Sequence, residues 1–164
     1  MIEKELVRKI VEVFPYVEAK VKRVRRVEVK VSREKLPEVA KYLRSIGFKH
    51  LSAISCVDWP QHGIFELVYH LWSYENRVHL MLKTTIPRNK PKYVTMINIW
   101  PNAFVYERDI WEFFGIEFEG HPDLRHFILD DWDDIPPLRK DFNHLEYVKR
   151  KYGVYDPEKE YYLR

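Results

Sequence analysis

From residue 3 to residue 14 the apolar positions Leu6, Val7, Ile10, Val11 and Phe14 recur at helical spacing, and Pro15 stops the run. Residues 24–31 then alternate Val24, Val27, Val29 and Val31 with charged side chains, which predicts one strand. Ser32 is placed to cap a second helix, with Glu34 near its positive end. That helix runs to about Ile46 with Leu36, Val39, Ala40 and Leu43 inward; Pro37 falls in its first turn, and Gly47 ends it. Three strands follow at 49–58, 64–72 and 77–85. The short links PQHG (60–63) and SYEN (73–76) make them a meander. Phe65, Leu67, Tyr69 and Leu71 share one face of the middle strand, as Val78, Leu80 and Leu82 do in the next. Pro87 to Pro91 breaks the pattern. Thr95 then caps a short helix ending near Pro101, and a longer helix covers 102–114, closed by Gly115. Beyond 116 the periodicity fades into an acidic, proline-punctuated stretch. The tail after Phe142 is polar and tyrosine-rich, helical to about Tyr152. These elements predict a single α+β domain: a mostly antiparallel sheet with a three-strand meander, covered by helices, plus an irregular C-terminal segment. The domain is expected to span 1–142, with 143–164 as a polar tail.

At 164 residues the chain is long enough for one well-buried core. No apolar run approaches the roughly 18 residues that would cross a bilayer, and the N-terminus lacks a signal-peptide core, so a cytoplasmic protein without membrane insertion is expected. The single cysteine, Cys56, excludes a disulfide framework and an all-cysteine iron–sulfur cluster, which takes about four thiolates. Charge is unevenly placed. Residues 1–50 carry 14 Lys/Arg against 7 Asp/Glu, whereas residues 107–146 carry 4 against 12. A basic half raises the question of nucleic acid. Its cations alternate with valines, however, as on the solvated face of a strand, and no nucleic-acid partner is expected.

The acidic stretch holds the candidate chemistry. His121, Asp123 and His126, with Glu117 and Glu119 nearby, offer nitrogen and oxygen ligands. Their spacing is unlike a helical H-E-x-x-H, and Pro122 keeps the histidines from sharing a regular helix face. A small metal-dependent enzyme using His121, Asp123 and His126 stands as the alternative to the reading below, beside local hydrogen bonding in a corner. The run DDWDD (130–134) lacks the alternation and glycine of an EF-hand. No G-x-S-x-G elbow and no phosphate-cradling glycine loop is present. In the helix 102–114, Phe104, Ile110, Trp111, Phe113 and Phe114 cover most of the circumference, so burial on more than one side is expected. Arg108 and Glu112 are one turn apart and are candidates for an i,i+4 pair. Arg125 and Arg139 each follow a leucine in a proline-initiated turn; the arginine fork suits them as latches onto carboxylates, shared with a neighbouring subunit.

The blocks ERDIWEFFGIEFEGHPDLRHFIL and PPLRKDF resemble the signature of the 30-kDa subunit of respiratory complex I, the C subunit of bacterial NADH:quinone oxidoreductase. The same module occurs in membrane-bound, energy-converting [NiFe] hydrogenases. FKHLSAISCVDWP, FELVYHLWSYENRVHLMLKTTIP and WPNAFVYERD follow the family's order of segments, and the resemblance covers roughly 20–142. It departs in detail. Asp109 stands where a second Glu is usual, Glu112 where Asp is usual, and His126, followed by Phe127, where a second Arg is usual. The long C-terminal extension of complex I members is not seen before Arg164. These departures place the chain nearer the hydrogenase-type or archaeal branch. The resemblance implies a non-catalytic assembly subunit without a cofactor or metal of its own. Such a subunit docks onto a hydrogenase-like large subunit and a small iron–sulfur subunit, peripheral on the inner face of the cell membrane. Its interface would be formed by Glu107, Arg108, Asp109, Trp111, Glu112, Phe113, Phe114, Gly115, His121, Pro122, Asp123, Leu124, Arg125, Leu138, Arg139, Lys140, Asp141 and Phe142.

Overall fold

The computed structural model describes residues 2–153, and in it the strand expected over 24–31 forms at 26–30, as the second arm of a hairpin whose first arm the valine alternation does not predict. Strands β1 (Glu18–Arg23) and β2 (Arg26–Lys30) pair antiparallel around a turn at Val24 and Arg25. No glycine or proline marks that turn. Arg25 itself takes the left-handed conformation (φ 57), and Val24 is left 82% exposed at the tip. Glu3 Oε1 accepts the Arg25 amide at 2.7 Å, so helix α1 (Ile2–Val13) supplies a hold on the turn that the local sequence lacks. Residues 154–164, the rest of the expected polar tail, lie outside the described residues.

The other early elements follow the pattern closely. Helix α2 (Leu36–Ser45) buries Leu36, Val39, Ala40 and Leu43, carries Pro37 in its first turn, and gives way to Gly47 at φ 105. Its cap differs from the expectation. The Ser32 carbonyl, not its hydroxyl, accepts the amides of Lys35 and Leu36. The meander is β3 (His50–Trp59), β4 (Ile64–Ser73) and β5 (Val78–Pro87). The sheet order is β1-β2-β5-β4-β3, and β2 runs parallel to β5 while every other pair is antiparallel. The parallel contact follows from the α2 crossover, which sends the chain to the far edge before the meander returns it beside β2.

The short helix expected from Thr95 to Pro101 is not formed. The chain instead makes strand β6 (Lys92–Val94), parallel to β7 (Glu117–Glu119), followed by tight turns. The Thr95 amide donates to the Glu119 carbonyl (3.0 Å), which extends the ladder past the expected helix start. Helix α3 (Ala103–Phe114) matches its expected span and is closed by Gly115 at φ 75. After the irregular stretch 120–142, helix α4 (His144–Tyr152) starts at Asn143, whose side chain accepts the amides of Leu145 and Glu146.

One core joins Leu6 and Ile10 of α1, the inward residues of α2, and Ala103 and Ile110 of α3 to Phe65, Leu67, Tyr69 and Leu71 of β4. The opposite face of the sheet takes no part in that core. Among fully buried side chains, the Tyr69 hydroxyl has no hydrogen-bond partner among the described residues. An unpaired buried hydroxyl costs about 1–3 kcal/mol. Tyr69→Phe is therefore expected to leave stability unchanged or raise it by about 1 kcal/mol. Denaturant unfolding checks this, and a clear loss of stability would mean that the hydroxyl is bonded in the folded protein.

Candidate functional site

Helix α3 holds the irregular stretch after β7 with two side chains one turn apart. Arg108 donates from Nε to the Arg125 carbonyl (2.8 Å) and from Nη2 to the His126 carbonyl (3.0 Å). Its Nη1 reaches Asp123 at 3.4 Å, and its guanidinium lies 4.8 Å from the Phe127 ring centre. Glu112 takes the next three residues. Its carboxylate accepts the amides of Phe127 (3.0 Å), Ile128 (3.0 Å) and Leu129 (2.6 Å). Its side chain is fully buried, with His126 Nδ1 at 3.4 Å. Burial pushes the Glu112 pKa up, but the amides, that of Leu129 foremost, outweigh it and hold the carboxyl below its ordinary range. Arg108 and Glu112 therefore do not pair with each other as expected. Each serves consecutive backbone groups of a segment, 125–129, that has no ladder of its own.

The strap continues across the end of the helix. The Leu138 amide donates to the Phe113 carbonyl (3.0 Å), and Pro136 lies against Gly115 so closely that an added Cβ would stand 3.0 Å from its ring. Lys140 donates its amide to Asp58 Oδ2 (2.8 Å), at the end of β3. Asp58 is completely buried and accepts a bidentate pair from Arg88, at 2.8 and 3.1 Å. Arg88 also reaches Asp141 at 2.7 Å. Burial raises the Asp58 pKa, and the Arg88 fork and the Lys140 amide more than reverse it. Sequence reasoning missed Asp58 and Arg88. The signal was present: Ile54, Cys56 and Asp58 stand on the core-facing side of β3, so period two already predicts an inward acid that needs a cation.

Arg139 sits 18% exposed, 5.4 Å from the Phe65 ring centre. Its Nε lies 3.6 Å from Asp141 and makes no hydrogen bond among the described residues. The bidentate latch expected of Arg139 is thus made by Arg88 instead. Arg125 is 76% exposed and, among the described residues, pairs with Asp123, two residues before it, at 3.1 Å. Phe142 joins Trp132 and Tyr147 in an aromatic cluster that seats α4, and Arg150 of α4 pairs with Asp133 (3.3 Å) and Asp134 (2.8 Å). The acidic loop thus has cations of its own chain.

Glu107 faces the other way, into the core. It accepts the Thr95 hydroxyl at 2.5 Å and the Met96 amide at 2.7 Å, and burial raises its pKa to about 7. Asp109 is half-buried with a raised pKa, through burial and then the nearby Glu112 charge. Trp111 tilts against His126 at 5.1 Å, and Phe114 packs edge-on to Phe65 at 6.2 Å. His121 stacks on Phe104 (4.9 Å). Its Nδ1 accepts the Asp123 amide at 3.0 Å, which leaves Nε2–H to donate to the Phe104 carbonyl at 2.9 Å. His121, Asp123 and His126 are not brought together as ligands, and no group of three metal-ligating side chains occurs among the described residues. Pro122 is exposed and Leu124 half-buried. Among the exposed charged residues of the strap, three large apolar side chains also face outward: Phe127 is 66%, Ile128 59% and Leu138 53% exposed.

Residues 29–148 match the sequence family described as "Respiratory-chain NADH dehydrogenase, 30 Kd subunit". The C subunit of the F(420)H(2) dehydrogenase of Methanosarcina mazei is 42% identical over 119 residues, covering 71% of this chain and 75% of that protein. The C subunit of the NADH-quinone oxidoreductase of Rhizobium rhizogenes is 36% identical over 118 residues, and the match spans 68% of this chain but only 58% of the relative. Among solved structures, a chain of the membrane-bound sulfane sulfur reductase, an archaeal respiratory membrane complex, superposes with TM-score 0.87 at 40% identity, covering 93% of this chain and 92% of that one. The trypsin-resistant fragment (1–134) of Nqo5 superposes with TM-score 0.64 at 23% identity, covering 76% of this chain and all of that one, a likeness of fold.

The anchors make two sharp expectations. Glu112→Ala strands three amides and should cost about 3 kcal/mol in denaturant unfolding, with faster hydrogen exchange at Phe127 to Leu129. An unchanged exchange pattern there would show that the carboxylate does not hold the strap. Glu107 has its pKa raised on folding from an ordinary 4.5 to about 7, so the folded state binds the proton more tightly. Its contribution is complete below the lower value and is lost as pH rises through the higher one. Stability should fall between these two values in the wild type, and Glu107→Gln should flatten that slope in a pH series of melting temperatures.

Proposed function

The chain belongs to the respiratory-chain NADH dehydrogenase 30 kDa subunit family, and from that premise we propose that it is a non-catalytic assembly subunit of a membrane-bound redox complex. Its docking surface is the strap 121–142 on α3. Its partners in this reading are a hydrogenase-like large subunit and a small iron–sulfur subunit, which carry the electrons. No helix among the described residues is long and apolar enough to cross a membrane. In this reading the chain is attached through those partners, on the inner face of the cell membrane.

One observation carries the reading. The strap is an irregular segment fastened to its domain by buried charges, yet it turns Phe127, Ile128 and Leu138 outward, with Val105 of α3 51% exposed. Rigid apolar side chains held proud of a surface suit a partner, because their ordering is already complete before docking.

The test is co-purification of tagged chain with the large subunit from cells that express the complex. Phe127→Asp and Leu138→Asp, both at exposed positions, should reduce recovery of the large subunit at least about tenfold while the melting temperature changes little. Arg139→Ala should weaken assembly more than it weakens the fold. The purified chain should be colourless. Undiminished recovery with Phe127→Asp and Leu138→Asp together would remove the strap from the interface, and iron–sulfur absorption in the isolated chain would overturn the non-catalytic reading.

A further inference from the structure

Along α3 the side chains of Val105, Asp109 and Phe113 recur every fourth residue and form one ridge of the helix surface. Val105 is 51% exposed, and Asp109 and Phe113 are half-buried. A carboxylate therefore stands between an aliphatic and an aromatic side chain, on a helix whose other charges are all engaged. Glu107 is turned into the core, onto Thr95 and Met96. Arg108 directs its guanidinium to the carbonyls of Arg125 and His126 and to Asp123. Glu112 is covered by the amides of Phe127, Ile128 and Leu129. The Tyr106 hydroxyl, three residues before Asp109, donates to the Ser52 carbonyl (2.9 Å). Of the charged side chains of α3, Asp109 is the one with neither a hydrogen bond nor an ion pair among the described residues.

Its setting disfavours the charge. Partial burial raises the Asp109 pKa, the fixed negative charge of Glu112 one turn on raises it further, and Arg108, which opposes both, does not reverse the shift. An acid whose pKa rises on folding holds its proton more tightly in the folded state, so its ionised form costs stability as pH rises through that range. The isolated domain thus gains nothing from an ionised group here. A cation brought by a neighbour, in contrast, is attracted by Asp109 and Glu112 together.

We propose that Asp109 is the anchoring carboxylate of the docking surface, and that its ligand is an arginine side chain of a partner subunit. A planar guanidinium suits the ridge better than an ammonium. It takes both carboxylate oxygens in a fork, and its flat face packs on an aromatic neighbour such as Phe113. Docking also removes water from the ridge, which strengthens the pair. The proposal rests on the assembly reading and adds to it the charge that the partner brings. The apolar side chains of the strap contribute area without regard to sign, whereas Asp109 selects a cation and opposes an acidic neighbour.

Asp109→Asn keeps the shape and removes the charge, and it separates binding from folding. In the isolated chain it should leave the melting temperature unchanged or raise it, since no bonded partner is lost. In cells that express the complex it should lower recovery of the partner at least about tenfold, and Asp109→Arg should lower it further. Phenylglyoxal labelling of arginines, read by mass spectrometry, should find one partner arginine that is protected in the wild-type complex and reactive in the complex formed by Asp109→Asn. A clear fall in the melting temperature of isolated Asp109→Asn puts the carboxylate's partner within its own chain and overturns the proposal. Undiminished recovery with Asp109→Asn also overturns it, and the assembly reading still stands if Phe127→Asp and Leu138→Asp reduce recovery. Protection of a partner lysine in place of an arginine, seen by amine labelling, overturns the arginine assignment. A wild-type chain that enters no complex overturns both readings.

Discussion

The Glu112 carboxylate is the interaction on which the last third of the molecule depends. Residues 125–129 have no strand to pair with, and their amides would otherwise be left without acceptors against the domain. Glu112 collects three of those amides, and Arg108, one turn earlier, supplies donors for the two preceding carbonyls. A helix surface thereby takes the place of a neighbouring strand. Charged partners suit this role because their hydrogen bonds are stronger than neutral ones, and because burial leaves water unable to compete. The further fastenings at Phe113, Gly115 and Asp58 guide the chain back over the sheet end.

That arrangement explains why so much charge lies in a segment with no catalytic geometry. Arg88 and Asp58, unlike Arg108 and Glu112, do pair with each other, and their fork closes the far end of the strap. Breaking the Arg88–Asp58 pair from one side leaves an uncompensated buried charge, which is costly. With the backbone so restrained, the outward apolar side chains are presented in a fixed arrangement. The sheet has a corresponding division. One face is committed to the core, and the other carries the polar row of Ser55, His70 and His79 and the Glu28, Glu66 and Lys83 ion pairs.

Much of the fold was legible because local and tertiary preferences agree in it. Helices α1, α2 and α3 and the meander satisfy their periodicity and their terminators together, as at Gly47 and Gly115. The departures occur where a distant group decides. The β1–β2 turn has no turn residue, and Glu3 of α1 fastens it. Thr95 carries a helix-capping side chain, but its amide belongs to Glu119 and its hydroxyl to Glu107. The parallel β2–β5 contact and the small β6–β7 sheet join segments far apart in sequence, where no local pattern records the pairing.

The sequence by itself determined the domain class, the core faces of the strands and the family signature. It could also place Arg108 and Glu112 on one side of a helix, since a period of 3.6 residues requires that. It suggested that they pair with each other. Only the tertiary structure decided that each instead serves the backbone of another segment, that Arg88 makes the fork expected of Arg139, and that His121 is satisfied by local backbone. The reason is physical. A side chain's position on its own element follows from dihedral geometry, but its partner is chosen by whichever unsatisfied group folding brings within reach, and burial makes that choice binding.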